Sequence, residues 1–324
     1  MRFFSSRWLK IGISLGLFAI LLRSADWRLL LQQVLAVRLD FFLLAFIGYL
    51  VSQMLYAYKW QVLARPLGFD RPLCSFTTYY FVGMYLNLFA PSTVVGDVGR
   101  GLLLASNGGS VGRALQSVVV DRASGVAMLL WVSAFGFVLF GPTVLPVTLC
   151  YGTIATACLI VAAWWILPYG IGWLGSPQYW LRRFLEQALA PYRTEGTAVL
   201  GRACGLAFVF HLFQLSLHIP LVRALGLPVP FWYLLLFIPL IHLLSALPLS
   251  FGGAGVREWG YVGFLALIGI GKDEAAAFGF LWTALVFGSG LVGGLVLLLS
   301  PTTRLSLKQS AVSGQLDSKK RRPD

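Results

Sequence analysis

The chain has 324 residues, 58% of them hydrophobic and only 11% charged, with a mean hydropathy of +0.80; this excludes a soluble globular protein, in which about a quarter of residues are charged. A net charge of +13 does not make it a nucleic-acid binder, because the basic residues lie in loops and tails between apolar stretches, where they set topology and meet anionic headgroups. An aromatic content of 15% with 11 Trp fits a chain that needs many interfacial anchors.

Residues 11–22 follow the basic Arg2, Arg7 and Lys10 without a clean small-residue cleavage site, which predicts an uncleaved first helix with a cytoplasmic N-terminus. Over residues 26–38, Trp27, Leu30, Leu31, Val34 and Leu35 recur at helical spacing with Arg28, Gln32 and Arg38 off that face, predicting an amphipathic helix on the outer surface. Residues 41–62 are long enough to cross, with Lys59 and Arg65 marking the cytoplasmic end. Residues 74–90 end in Asn87 and Pro91; such a segment can enter, break and return where protein or a water-filled cavity satisfies the freed backbone. Residues 101–112 read as a surface stretch, 115–140 as a crossing, and 144–167 as the return after Gly141-Pro142.

Residues 176–191 predict a second amphipathic helix, on the inner surface, with Trp180, Leu181, Phe184, Leu185 and Leu189 opposite Arg182, Arg183, Glu186 and Gln187. A span over 202–218 follows, then an apolar segment at 231–247 broken by the Pro248 motif and resumed at 259–270. Residues 275–299 make the last crossing, and 301–324 form a basic disordered cytoplasmic tail. Residues 1–300 are thus one integral membrane domain. With both termini inside, most of the loop Lys and Arg fall in the cytoplasm. Residues 231–270 are either two crossings or one hairpin re-entering from outside. The second choice pairs with a hairpin at 74–95 entering from inside, as in an inverted repeat. The fold class is therefore an all-α polytopic membrane protein of six to eight crossings with two broken or re-entrant segments, in a bacterial-type cytoplasmic membrane.

Charge inside hydrocarbon costs from about 2.5 kcal/mol per residue upward, so the polar interruptions carry the functional reading. Pro91, Gly96, Asp97 and Arg100 form one; Pro248, Gly252, Gly253, Gly255, Arg257 and Glu258 form another, with Pro, Gly and Arg at the same offsets. Broken, charge-bearing segments in matching positions of two halves point to a transport site. If Gly96 opens a half-helix, Asp97 sits in its first turn and Arg100 lies on the same face. The glycines of the second motif let the backbone turn sharply, and free N–H groups at the following helix start, with Arg257, make a phosphate cradle. Asp121-Arg122, with Gly125 one turn on, is read as an internal clasp for Arg100 or Arg257.

In order and wide spacing, Pro91 to Arg100, Asp121-Arg122 to Gly125, and Pro248 to Glu258 resemble the signatures of the lysylphosphatidylglycerol synthase transmembrane, or flippase-like, family. The resemblance covers about residues 10–300. Val95 departs from it, standing where the family has the first of two glycines before the Asp. What the resemblance implies is lipid translocation or lipid-linked handling without synthesis, since the chain has no room for the soluble aminoacyl-transferase domain. It carries over Asp97, Arg100, Asp121, Arg122, Arg257 and Glu258 as substrate-binding residues.

Other signals are weaker. Cys74, Cys150, Cys158 and Cys204 lack C-x-x-C spacing, so neither a redox pair nor a metal site is expected. Gly108 to Gly112 fits G-x-S-x-G but lacks a strand-turn-helix setting. His211, Gln214 and His218 share a helical face, with His242 later, yet no carboxylate or Cys completes a metal set. There is no P-loop, and no cofactor is expected. The expected function is flippase-like translocation of an anionic phospholipid or lipid-linked headgroup, with membrane lipids as partners. Arg100 and Arg257 would hold phosphate, Asp97 and Glu258 would balance charge or accept a proton, and Asp121-Arg122 would lock the halves. The alternative is a membrane-embedded transferase using a polyprenyl-phosphate-linked or phospholipid substrate, with Asp97 or Glu258 as general base.

Overall fold

A computed structural model describes residues 27–90, 94–106, 108–140, 191–192, 197–246 and 255–300, with short pieces between 148 and 162. The expected helix at 11–22, most of 144–167, the amphipathic stretch at 176–190 and the tail at 301–324 lie outside the described residues. The elements are α1 (Trp27–Leu35), α2 (Leu39–Ala64) with a 3-10 turn at Arg65–Leu67, α3 (Leu73–Leu88), α4 (Val94–Ala105), α5 (Val111–Phe140), α6 (Thr197–Ser216), α7 (His218–Ala224), α8 (Phe231–Ala246), α9 (Val256–Ala266) and α10 (Lys272–Leu299). No strand occurs among the described residues. Leu43, Leu44, Ile47 and Val51 on α2 and Leu291, Leu295 and Leu298 on α10 are exposed, an outer face suited to lipid rather than water. The protein is an all-α polytopic membrane protein.

Among the described residues, four segments are long and apolar enough to cross: Leu39–Leu67, Val111–Phe140, Ala198–Ala224 and Lys272–Leu299. α2 runs antiparallel to α6–α7. The Arg38 N–H donates to the Ala224 carbonyl at 3.0 Å at one end, and Tyr56 meets Phe210 at 4.3 Å between ring centroids further along. It also runs antiparallel to α5, where Trp60 Nε1 donates to Ser117 Oγ at 2.9 Å. Pro239 inside α8 leaves the Leu235 carbonyl without its helical donor. α5 comes close there because Gly136 has no side chain: a Cβ would stand 3.0 Å from that oxygen.

The remaining apolar helices are shorter. α3 and α8 have 16 residues each, α4 has 12 and α9 has 11; at about 1.5 Å per residue none spans the roughly 30 Å of hydrocarbon. They pair off as antiparallel hairpins. Gly96 N–H donates to Asn87 Oδ1 at 2.7 Å near the tip of α3–α4, and a Cβ on Gly83 would lie 2.9 Å from the Gly96 carbonyl oxygen. In α8–α9, the Tyr233 hydroxyl at the start of one helix donates to the Phe264 carbonyl at the end of the other. Nearer the tip, a Cβ on Gly260 would stand 3.1 Å from Ile241.

α10 orders the two hairpins in depth. Tyr261 of α9 meets Phe278 edge-on at 5.0 Å and Glu258 bonds Thr283, so α8–α9 lies along the N-terminal half of α10. Leu88 covers Gly290, while Phe81 and Tyr85 cover Gly293 and Gly294, so α3–α4 lies along its C-terminal half. The hairpins enter from opposite sides. Their tips touch α10 at Thr283 and Gly290, seven residues or about 10 Å apart along the axis. For residues 231–270, helix length and pairing therefore select the re-entrant hairpin over two crossings.

Two local expectations are corrected. Lys59 does not mark the end of a span: α2 continues to Ala64 and Lys59 is fully buried, because a carboxylate waits for it on α5. Residues 101–112 are not all surface, since α4 extends to Ala105 and buries Leu103, Leu104 and Ala105.

Candidate functional site

The α3–α4 hairpin brings Asp97 and Arg100 against α5, which supplies Asp121 and Arg122, and α2, which supplies Lys59. Gly96 falls in the first turn of α4, so Asp97 sits at the positive end of the helix, and the three-residue spacing lets Arg100 Nε donate to Asp97 Oδ1 at 3.1 Å. Arg100 Nη2 donates to Asp121 Oδ2 at 2.7 Å. Asp121 also faces Lys59 Nζ at 2.9 Å, and that ammonium donates further to the Asp121 carbonyl at 2.8 Å and to Ser124 Oγ at 3.2 Å. Arg122 Nε donates to the other oxygen of Asp97 at 2.6 Å.

An aromatic collar surrounds these charges. The Arg100 guanidinium lies 4.6 Å from the Trp60 ring and 5.0 Å from Tyr80, and Lys59 Nζ is 3.9 Å from Tyr56. Ring faces of this kind attract cations in a desolvated setting. Lys59 and Asp121 side chains are 0% exposed, Arg100 2%, Asp97 16% and Arg122 44%, so the network runs from a closed inner end to an open outer one. Its formal composition is three cations and two carboxylates. Arg100 Nη1 is buried without a hydrogen-bond partner among the described residues.

A second network sits at the tip of α8–α9. Gly255 has φ +85°, a left-handed conformation that favours glycine, and its N–H donates to Glu258 Oε2 at 2.6 Å. The Thr283 hydroxyl donates to Glu258 Oε1. Arg257 Nη2 donates to Thr283 Oγ1 at 2.8 Å and to Glu258 Oε1 at 3.3 Å, while its Nε is buried and unpartnered among the described residues. This network is formally neutral. Gly279 lets α10 come close: a Cβ there would be 3.3 Å from Glu258 Cα.

The structure therefore joins Asp97, Arg100, Asp121 and Arg122 in one constellation, and Arg257 and Glu258 with Gly255 in another. The Asp121-Arg122 clasp closes on the first hairpin, not on Arg257. Pro91, Pro248, Gly252 and Gly253 lie outside the described residues. Sequence reading missed Lys59 and its collar of Tyr56, Trp60 and Tyr80; the signal was a lone Lys set among aromatic residues inside an apolar helix. It also missed Thr283, for which the sequence offers no signal. Ser110 of the G-x-S-x-G match is an exposed residue just before α5. No group of three or more metal-ligating side chains occurs among the described residues.

No curated protein matches the chain. A family model described as the lysylphosphatidylglycerol synthase TM region matches residues 7–294, a range that takes in both hairpins and all seven charged residues described in the two networks. The chain belongs to the lysylphosphatidylglycerol synthase TM region family.

Proposed function

We propose that the protein binds the anionic headgroup of a phospholipid, or of a lipid-linked substrate, at the network between α2, α4 and α5 and carries it across the cytoplasmic membrane. The observation that carries this reading is the surplus cation. Among the described residues, three basic side chains face two carboxylates and one guanidinium nitrogen has no hydrogen-bond partner, and the outermost base, Arg122, is 44% exposed. One phosphodiester brings a single negative charge and acceptor oxygens in the geometry a guanidinium matches. The phosphatidylglycerol in the name of the family supports this reading. Opposed hairpins shorten the distance between the two polar stations, and Arg257, whose Nε has no hydrogen-bond partner among the described residues, is at the second of them. Both termini lie in the cytoplasm in this reading, so the base of α3–α4 faces the cytoplasmic leaflet.

The test uses the full chain in vesicles containing fluorescent phosphatidylglycerol, with an impermeant quencher reporting the leaflet. Charge-assisted bonds are worth about 1.5–3 kcal/mol, so Arg122→Ala is expected to slow translocation roughly 10- to 100-fold without lowering the melting temperature. Wild-type translocation by Arg122→Ala would end the assignment. Conversion of the labelled lipid into a new species, read by mass spectrometry, would assign the transferase alternative instead.

A further inference from the structure

The chain has three histidines; all sit within the bundle, and none belongs to either charged network. His211 Nε2 lies 2.9 Å from the Gly125 carbonyl, one residue from the Ser124 that holds Lys59. His218 is fully buried at the junction of α6 and α7. Its Nδ1 faces the Gln214 carbonyl at 3.1 Å and its Nε2 faces the Tyr261 hydroxyl at 3.2 Å. A carbonyl can only accept, so Nδ1 carries a proton; Nε2, turned toward α9, accepts from the Tyr261 hydroxyl when the ring is neutral and donates to it when the ring is charged. The ring stacks on Trp282 at 3.9 Å and 20°. His242 of α8 lies 5.6 Å from His218 and 5.4 Å from the same Trp, and its buried Nε2 has no partner among the described residues.

Packing alone does not account for two imidazoles around one indole. A buried ring nitrogen without a partner costs free energy, and a β-branched or aromatic residue would fill the same space. What the pair offers is a place for one extra proton. Trp282 presents a π face to an imidazolium, and Glu258 lies one turn before Tyr261 on α9. The titratable and charged groups around the pair are Tyr49 from α2, which meets Trp282 edge-on at 5.7 Å, His211 from α6, and Arg257 and Tyr261 from α9. Arg257 opposes the charged ring, and the stacked face of Trp282 favours it.

We propose that His218 and His242 form a proton-carrying site that couples headgroup translocation to proton movement. This deepens the translocation reading and rests on it for the coupling. A headgroup with one negative charge, crossing with one proton, leaves the membrane potential out of the step. In the exchange a proton from water on one side adds to a free imidazole nitrogen and returns to water on the other; no bond between heavier atoms changes.

The experiment places the full chain in phosphatidylcholine vesicles, with and without fluorescent phosphatidylglycerol, loaded with a pH-sensitive dye and given a one-unit pH step. Proton influx through the wild type is expected to exceed that of protein-free vesicles several-fold. His242→Phe, which keeps the aromatic packing, and His218→Gln, which keeps a polar partner for Tyr261, are each expected to return it to the protein-free rate at an unchanged melting temperature. Wild-type influx equal to that of protein-free vesicles in both lipid mixtures, or full influx in both variants, would overturn the proposal. Proton influx without lipid movement would leave this site standing and remove the translocation reading; lipid movement without proton influx would do the reverse.

Discussion

Asp121 is the residue that most constrains the rest, because a fully buried carboxylate there meets two cations, Lys59 at 2.9 Å and Arg100 at 2.7 Å. Removing one partner of a buried ionic set leaves an uncompensated charge and costs about 3–5 kcal/mol. Asp121→Asn is therefore expected to lower unfolding free energy in detergent micelles by that order, because Lys59 loses its counter-charge and Arg100 keeps only Asp97. Lys59→Met should cost distinctly less, since Asp121 keeps Arg100. Equal losses in the two variants would show that the ammonium, not the carboxylate, organises the site. The Asp97–Arg100 pair was legible from its three-residue spacing. Lys59 was not, because a basic residue near the end of a hydropathic segment is ordinarily a boundary marker, and only the partner on α5 shows that the helix runs on.

At the level of elements, the glycines act by letting backbones approach. Gly96 meets the Gly83 carbonyl and the Asn87 side chain so closely that no Cβ fits. Its motif position reads in sequence as the opening of a half-helix; in the structure it is also a contact surface, with a hydrogen bond of 2.7 Å to Asn87. Gly96→Ala is expected to overpack the hairpin, costing about 1–3 kcal/mol, and to reduce lipid translocation with it. Gly263 of α9 has nothing within 4 Å of its would-be Cβ, so Gly263→Ala should be neutral or stabilising by up to about 1 kcal/mol. Thermal melts of both variants side by side check the contrast. Helix existence was readable from hydropathy, whereas the mates of α3 and α8 were not, since antiparallel pairing is a relation between segments and leaves no periodic trace within either.

For the whole molecule, opposed hairpins make a topological prediction. Asp70 is strongly exposed just before α3, its carboxylate 91% accessible, and Lys272 begins α10 beside the end of α9. In a background where Cys74, Cys150, Cys158 and Cys204 are replaced, Lys272→Cys is expected to react with an impermeant maleimide added outside intact cells. Asp70→Cys should react only after permeabilisation. Labelling of both from one side would undo the opposed arrangement. Loop charges carry the expected orientation, which the labelling tests; the choice between hairpin and crossing at residues 231–270 needed helix lengths resolved to a few residues, finer than hydropathy provides.

The buried pairing of Lys59 with Asp121 across 62 residues also bears on how the chain is made. When α2 leaves the ribosome its lysine has no counter-charge anywhere in the bilayer, and a lone ammonium at depth is costly. The C-terminal part of α2 must therefore stay near the headgroups, its long side chain reaching for water, until α5 has been synthesised. The α3–α4 hairpin is threaded between the two events, so it too can settle only once Asp121 arrives. Assembly of this half of the molecule is therefore expected to wait for a single carboxylate.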